Sequence, residues 1–262
     1  MADMAVLIGS ARIDENGNIS GGKAGDQTGK ECSTQDWYLH NKGWVVIRAK
    51  TASVREKIAQ DMQYICDNNN VGYDQSQNTT LYQAARPYGF DVSKVKTPCE
   101  TDCARAVRVC VLYAGVSCAD FYTGSEVDAL RATKQFDILT DSKYCNSSDY
   151  LIRGDILVTK TKGHTVVVLS NGSKVSTSQA ANESGVMYAE SKDKGLSGTY
   201  RTTESLNMRK GAGKQYGIVT VLPNGAKVRN YGYYTVHDGI KWLYVSYNGK
   251  VGFCSSKYLK RM

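Results

Sequence analysis

Charge divides this chain unevenly near its last quarter. Thr199 to Met262 carries eleven Lys and Arg against two acids, Glu204 and Asp238, a net of +9; the whole chain is +8, so everything before Thr199 sums to −1. A single packed core gives no reason for such a division, and two folding units are expected. Between Ser173 and Gly198 the residues are small and polar with little apolar periodicity, as in a linker. The expected boundaries are therefore a domain over 1–175, a linker over 176–198 and a second domain over 199–262. With 41% apolar and 22% charged residues, both halves fall in the globular range. The longest apolar runs, such as Thr165 to Leu169, are far below the roughly 18–20 residues that cross a bilayer, which argues against membrane insertion. Met1 to Ser10 lacks a basic stretch ahead of its few apolar residues, so no secretory signal is expected, and the eight Cys are read as reduced thiols.

The first segment reads as mixed helix and strand. Val54, Ile58, Met62 and Ile65 fall at helical spacing between Ser53 and Asp67, with Thr51 or Ser53 as N-cap. A second helix is expected from Asp102 to Ala114, with Gly115 at its C-terminal cap, and a third from Glu126 to Gln135. The pattern then changes to β-branched runs, Asp155 to Val158 and Thr165 to Leu169, the second closed by Asn171-Gly172. Helices first and an antiparallel sheet after them make an α+β layout. The last 64 residues carry five short strand patterns separated by Pro223-Asn224-Gly225, Asp238-Gly239 and Asn248-Gly249, the signature of a small all-β barrel.

Two residues carry the chemistry. Cys103 stands at the start of the second helix, where the helix dipole and unpaired backbone N–H groups favour a thiolate. His164, one of three histidines, follows Gly163 at a strand end, from which an imidazole can project to take a thiol proton. Taken singly, a cysteine is a common small core residue and a histidine beside a strand is commonly structural. Their order and setting together fit a nucleophile and its base.

At these residues the sequence resembles a family. Asp102-Cys103-Ala104-Arg105-Ala106-Val107, with Arg153-Gly154-Asp155-Ile156-Leu157 and Gly163-His164-Thr165, is similar to the Asp-Cys-Ser and Gly-Asp-Ile…His elements of papain-like NlpC/p60 and CHAP peptidoglycan hydrolases. The stretches Ile13 to Gly17 and Gly25 to Gly29 also resemble the opening of some clostridial phage endolysins. The resemblance implies that Cys103 attacks an amide of the wall peptide, that His164 serves as base and then acid, and that a third polar residue orients the imidazole. Asn171 is the candidate for that third place, with Gln179 or Asn182 as alternatives and a plain Asn-Gly turn as its structural reading. Gln27 is a candidate oxyanion donor, or simply a loop residue. Ala104 stands where the family has Ser, which removes no catalytic atom.

From Thr203 to Cys254 the sequence strongly resembles bacterial SH3-like domains, which anchor enzymes to cell walls. The combined expectation is an α+β papain-like catalytic domain followed by an all-β SH3-like barrel. Tyr231, Tyr233, Tyr234 and Trp242 offer flat faces for wall binding, and the +9 favours anionic wall polymers of Gram-positive bacteria. No cofactor and no metal is expected. Cys99, Cys103, Cys110 and Cys118 lack paired zinc-ligand spacing, Asp14 to Gly17 lacks the closing Glu of a calcium loop, and Gly21 to Glu31 lacks the spacing of a phosphate loop. The function that follows is an endolysin acting as a Cys-His endopeptidase, made in the host cytoplasm and acting on peptidoglycan after release. An N-acetylmuramoyl-L-alanine amidase and a catalytically inactive wall-binding protein remain as alternatives. Nucleic-acid binding is not expected.

Overall fold

The computed structural model describes residues 5–175, 186, 187 and 189–262, and divides the chain into two units, Met1–Val175 and Ser176–Met262. Among the described residues no helix is long and apolar enough to cross a membrane.

The first unit is built on β1 (Leu7–Ala11), β2 (Cys32–Asp36), β3 (Trp44–Ala49), α1 (Ala52–Asp67), β4 (Val71–Tyr73), α2 (Thr80–Ala85), β5 (Cys99–Thr101), α3 (Cys103–Tyr113), α4 (Glu126–Ala132), β6 (Phe136–Leu139), α5 (Ser142–Cys145), β7 (Ile156–Thr159) and β8 (Thr165–Val168). Six strands form one antiparallel sheet in the order β2-β1-β8-β7-β3-β6, and β4 pairs with β5 in parallel. Every residue of β7 and β8 is buried, as their β-branched runs require of central strands. The helices were expected to precede the sheet, yet three strands come before α1. Local patterning conceals them: β2 is Cys-Ser-Thr-Gln-Asp at the sheet edge, and β1 carries Gly9.

Gly9 has a packing reason. A Cβ there would lie 3.0 Å from both Met62 Cγ and Cys66 Sγ, so its absence lets α1 lie close on β1. Thr51 caps α1 through Val54 N–H, and Ile58, Met62 and Ile65 are wholly buried on the face that packs against the sheet and α3.

The segment Arg153-Gly154-Asp155, which leads into β7, is scaffold. Gly154 adopts φ +91°, and a Cβ there would stand 2.1 Å from Arg55 O, so only glycine lets this turn meet the start of α1. Asp155 pairs with Arg48 of β3 at 2.6 Å. Arg153 pairs with Glu56 of α1 at 2.9 Å and donates to Leu169 O at 2.6 Å, tying the β7–β8 hairpin to that helix.

The Gly-rich stretch before β2 is organised by carboxylates. Asp26 accepts from the backbone N–H groups of Thr28, Gly29, Lys30, Glu31 and Cys32, while Glu31 accepts from Gln27 and Tyr73, and Glu100 from Gly25. Burial, with Glu31, Asp74 and Glu15 nearby, pushes the Glu100 carboxyl up to about 7. Among the described residues no group of three His, Cys, Asp or Glu is arranged to hold a metal ion.

The second unit contains β9 (Ser191–Lys192), β10 (Gly198–Thr202), β11 (Leu206–Arg209), β12 (Ile218–Leu222), β13 (Lys227–His237), β14 (Ile240–Tyr247), β15 (Lys250–Ser255) and β16 (Leu259–Arg261). They pair in the order β12-β11-β15-β14-β13-β10-β16, with β9 against β13, so the unit has more strands than the five read from turn signals. Tyr200, Leu206, Met208, Leu222, Val228, Leu243, Val245 and Cys254 form one core. The expected linker is also shorter than its composition suggests. Val186 is buried with Tyr233, Trp242 and Phe253, and Ser191–Lys192 is already a strand of this unit. One apolar residue and a two-residue strand leave little mark in a small, polar sequence. Gln179 and Asn182 lie outside the described residues.

Candidate active site

The first turn of α3 presents the thiol. Asp102 is the N-cap, its Oδ1 accepting from Arg105 N–H at 2.7 Å and its Oδ2 from the Asn78 amide at 2.6 Å, which fixes Cys103 as the first helical residue. The helix packs against β8, and the backbone N–H groups of Thr165 and Ala104 draw the Cys103 thiol toward its ionised form. Thr165 opens β8 and directly follows His164. The imidazole is set by its turn: His164 N–H donates to Thr159 Oγ1 at 3.0 Å, Thr159 N–H returns to His164 O at 3.0 Å, and Gly163 N–H donates to Thr123 Oγ1 at 3.2 Å. Half-buried, His164 opens onto a cavity of about 510 Å³ lined by Arg12, Ile13, Gln35, Tyr38 and His40.

The electrostatics differ from those expected of a helix N-terminus. Burial, followed by the charge of Asp102, pushes the Cys103 thiol up to about 12, against the pull of the Thr165 and Ala104 N–H groups. Burial, followed by His40 and Arg12, brings His164 down to about 4. The resting pair at neutral pH is therefore a thiol and a neutral imidazole, because desolvation outweighs the dipole here.

Asn171 is not beside His164. His164 precedes β8 and Asn171 follows it, and seven residues of extended chain span on the order of 20 Å. The Asn171 Oδ1 accepts from Arg153 N–H at 2.9 Å, so the side chain closes the base of the hairpin instead. Gln27 is likewise committed to its own loop: its exposed amide donates to Ala24 O and Gly25 O, and it does not line the cavity. The polar residues that line the cavity with His164 are Arg12, Gln35, Tyr38 and His40. His40 Nδ1 accepts from Lys42 N–H at 3.0 Å, which leaves Nε2 to carry the proton of the neutral ring. Strand pairing, not sequence proximity, gathers these residues. The one signal available beforehand was scarcity, since two of only three histidines meet here.

Glu126 is a buried carboxyl behind the same strand. It is fully buried, its Oε1 lies 2.8 Å from Thr165 Oγ1, and that hydroxyl lies 3.0 Å from Leu157 O. One hydroxyl proton cannot serve both acceptors. A protonated Glu126 donating to Thr165, which donates on to Leu157, satisfies the chain. Burial, then the charge of Asp102, pushes Glu126 up to about 8, in keeping with that form. The folded state thus retains a proton that the unfolded chain releases above its ordinary 4.5, and this carboxyl costs stability as pH rises from about 4.5 to 8. Glu126→Gln, whose amide can donate to the same hydroxyl, is expected to melt like wild type near pH 4. By pH 8 it should melt higher by at least about 3 °C. Calorimetry across that range checks it, and a pH-independent difference would contradict the buried proton.

In the second unit the tyrosines are less available than their sequence suggested. Tyr233 is 7% exposed and packs with Val186 and Phe253, and Tyr234 packs against the main core. Arg229 lies over the Tyr231 ring and Lys241 over the Tyr234 ring. All three lie on β13, whose irregularity between Asn230 and Tyr234 is held by the buried Asn230 amide donating to Tyr233 O and Tyr244 O. Trp242, also mostly buried, lines a cavity of about 290 Å³ with Glu204, Arg209, Lys214, Lys257 and Tyr258 among its neighbours.

Residues 8–175 match the endolysin-like domain, and residues 204–260 match the bacterial SH3 domain. No curated protein matches the chain. The first match spans Cys103 at the start of α3 and His164 ahead of β8, on which α3 packs, and the second spans a β-barrel with the chain's excess positive charge. With more than half of its 262 residues in the first match, the chain belongs to the endolysin-like domain family and carries a bacterial SH3 cell-wall-binding domain behind it.

Proposed function

We propose that the first unit is a cysteine peptidoglycan hydrolase that cuts an amide within the wall peptide, as an endopeptidase, with Cys103 as nucleophile and His164 as base. The observation that carries this reading is the packing of α3, which Cys103 opens, on β8, which His164 directly precedes, with the imidazole opening onto a cavity. As the sulfur attacks the carbonyl carbon, His164 takes the thiol proton, and N–H groups of the first turn of α3 stabilise the oxyanion. The imidazolium then gives its proton to the leaving amine. Water, deprotonated by His164, cleaves the thioester, releasing a carboxylate and restoring the thiol. His40 replaces Asn171 as the polar residue proposed to orient His164.

In this reading the second unit holds the enzyme on Gram-positive peptidoglycan through anionic wall polymers, for which the +9 between Thr199 and Met262 is the support. Tethering raises the concentration of hydrolase at an insoluble substrate. Synthesis takes place in the host cytoplasm, and action at the wall follows release.

The pH profile tests the dyad. With His164 at about 4 and Cys103 at about 12, kcat/KM is expected to be level around neutrality and to fall only as pH drops toward about 4. An acid limb near 6.5, the ordinary value for histidine, would contradict the buried base.

A further inference from the structure

The cavity beside His164 holds a fixed cation that its walls do not neutralise. Of the six lining residues, Arg12, Ile13, Gln35, Tyr38, His40 and His164, none is a carboxylate. The Arg12 side chain is exposed; its one hydrogen bond, from Nη1, goes to a neutral partner, Ser33 Oγ, at 3.3 Å, and it makes no ion pair among the described residues. Its place follows from sheet register. β1 and β8 pair Ile8 with Val168 and Gly9 with Val167, and continuing that antiparallel register sets Arg12 opposite His164. Lys42, whose Nζ donates to Lys162 O in the turn before His164, adds a second cation on that side.

We infer that Arg12 is a specificity residue that binds a carboxylate carried by the wall peptide next to the scissile amide. This rests on the hydrolase reading above. A guanidinium presents a planar fork of donors that matches a carboxylate in two parallel hydrogen bonds, and at a cavity mouth it can do so without first breaking an internal ion pair. Ile13 and Tyr38, each 37% exposed, supply apolar surface alongside it for the peptide chain. Binding has a second consequence. The same guanidinium opposes formation of the His164 imidazolium, the charge that develops as Cys103 attacks. A substrate carboxylate on Arg12 removes that opposition, so the correct substrate assists its own cleavage. The effect should therefore appear in kcat as well as KM, whereas a cation that only attracted substrate would change KM alone.

The test compares full-length wild type and Arg12→Gln on two preparations of one peptidoglycan: native, and with its peptide carboxyl groups converted to carboxamides. New amino termini are counted over time. Both proteins keep the same SH3 domain, so any effect of amidation on wall binding cancels when their ratios are compared. Wild type is expected to lose about tenfold or more on amidated wall, while Arg12→Gln cleaves both preparations within about twofold of one another. Equal melting temperatures establish that the variant is folded, as an exposed residue with one weak hydrogen bond should allow. Equal rates of wild type on both preparations, or a preference that persists in Arg12→Gln, overturn the role of Arg12 and leave the hydrolase reading standing. No new amino termini from either preparation with wild type overturns the hydrolase reading itself, and this inference with it.

Discussion

Cys103→Ser is expected to lower the release of new amino termini from peptidoglycan by at least about a thousandfold, with the circular dichroism spectrum unchanged. Oxygen and sulfur are close enough in size for the first turn of α3 to keep its cap, because Asp102 bonds Arg105 N–H without help from the thiol. What is lost is chemical. In the same surroundings a serine hydroxyl is a weaker acid and a poorer nucleophile than a thiol, so transfer of its proton to the same His164 is much harder. The same electrostatics make a prediction opposite to that for a preformed thiolate. Cys103 is 7% exposed and its thiol is pushed up to about 12, so alkylation near neutral pH should be slow without substrate. Hydrolysis persisting in Cys103→Ser would move the nucleophile elsewhere.

Arg153→Ala is expected to destabilise the first unit by about 3–5 kcal/mol. Arg153 and Glu56 are both mostly buried, and the guanidinium also satisfies Leu169 O. Removing it leaves a carboxylate and a carbonyl without their partner, whereas the pair itself adds little net stability. The double change Arg153→Met with Glu56→Gln, which removes both charges, should therefore cost much less than Arg153→Ala alone. Urea denaturation of the three proteins distinguishes the outcomes. A loss under about 1 kcal/mol in Arg153→Ala would mean that water, not protein, holds Glu56. The consequence reaches the site, since this ion pair ties the hairpin that carries His164 to α1.

What the sequence disclosed divides along local and long-range lines. The start of α3 was readable because an N-cap, a thiol and an apolar stripe lie within twelve residues. β7 and β8 were readable because central strands are continuously apolar. His164 could be placed at a strand end, but its neighbours could not. Arg12, Gln35, Tyr38 and His40 come from the segment spanning β1 to the approach of β3, and only the order β2-β1-β8-β7-β3 brings them to the cavity. Asn171 illustrates the converse: seven residues from His164 in sequence, it sits at the opposite end of a strand and bonds Arg153. The helix-dipole argument for a thiolate was sound in sign but omitted burial, which has the opposite sign and dominates here. In the barrel, Tyr231 to Tyr234 fall on an irregular stretch of one long strand, where alternation fails and aromatic residues turn inward.

Mass spectrometry of the soluble products from purified Gram-positive peptidoglycan, digested in parallel by wild type and by Cys103→Ala, tests the central claim most directly. New amino termini are expected with wild type alone, within stem peptides or cross-bridges for an endopeptidase; free peptides beginning at L-Ala would instead identify an amidase using the same dyad. Products that appear equally with Cys103→Ala, or no products from several wall types while binding is retained, would contradict a Cys103 hydrolase.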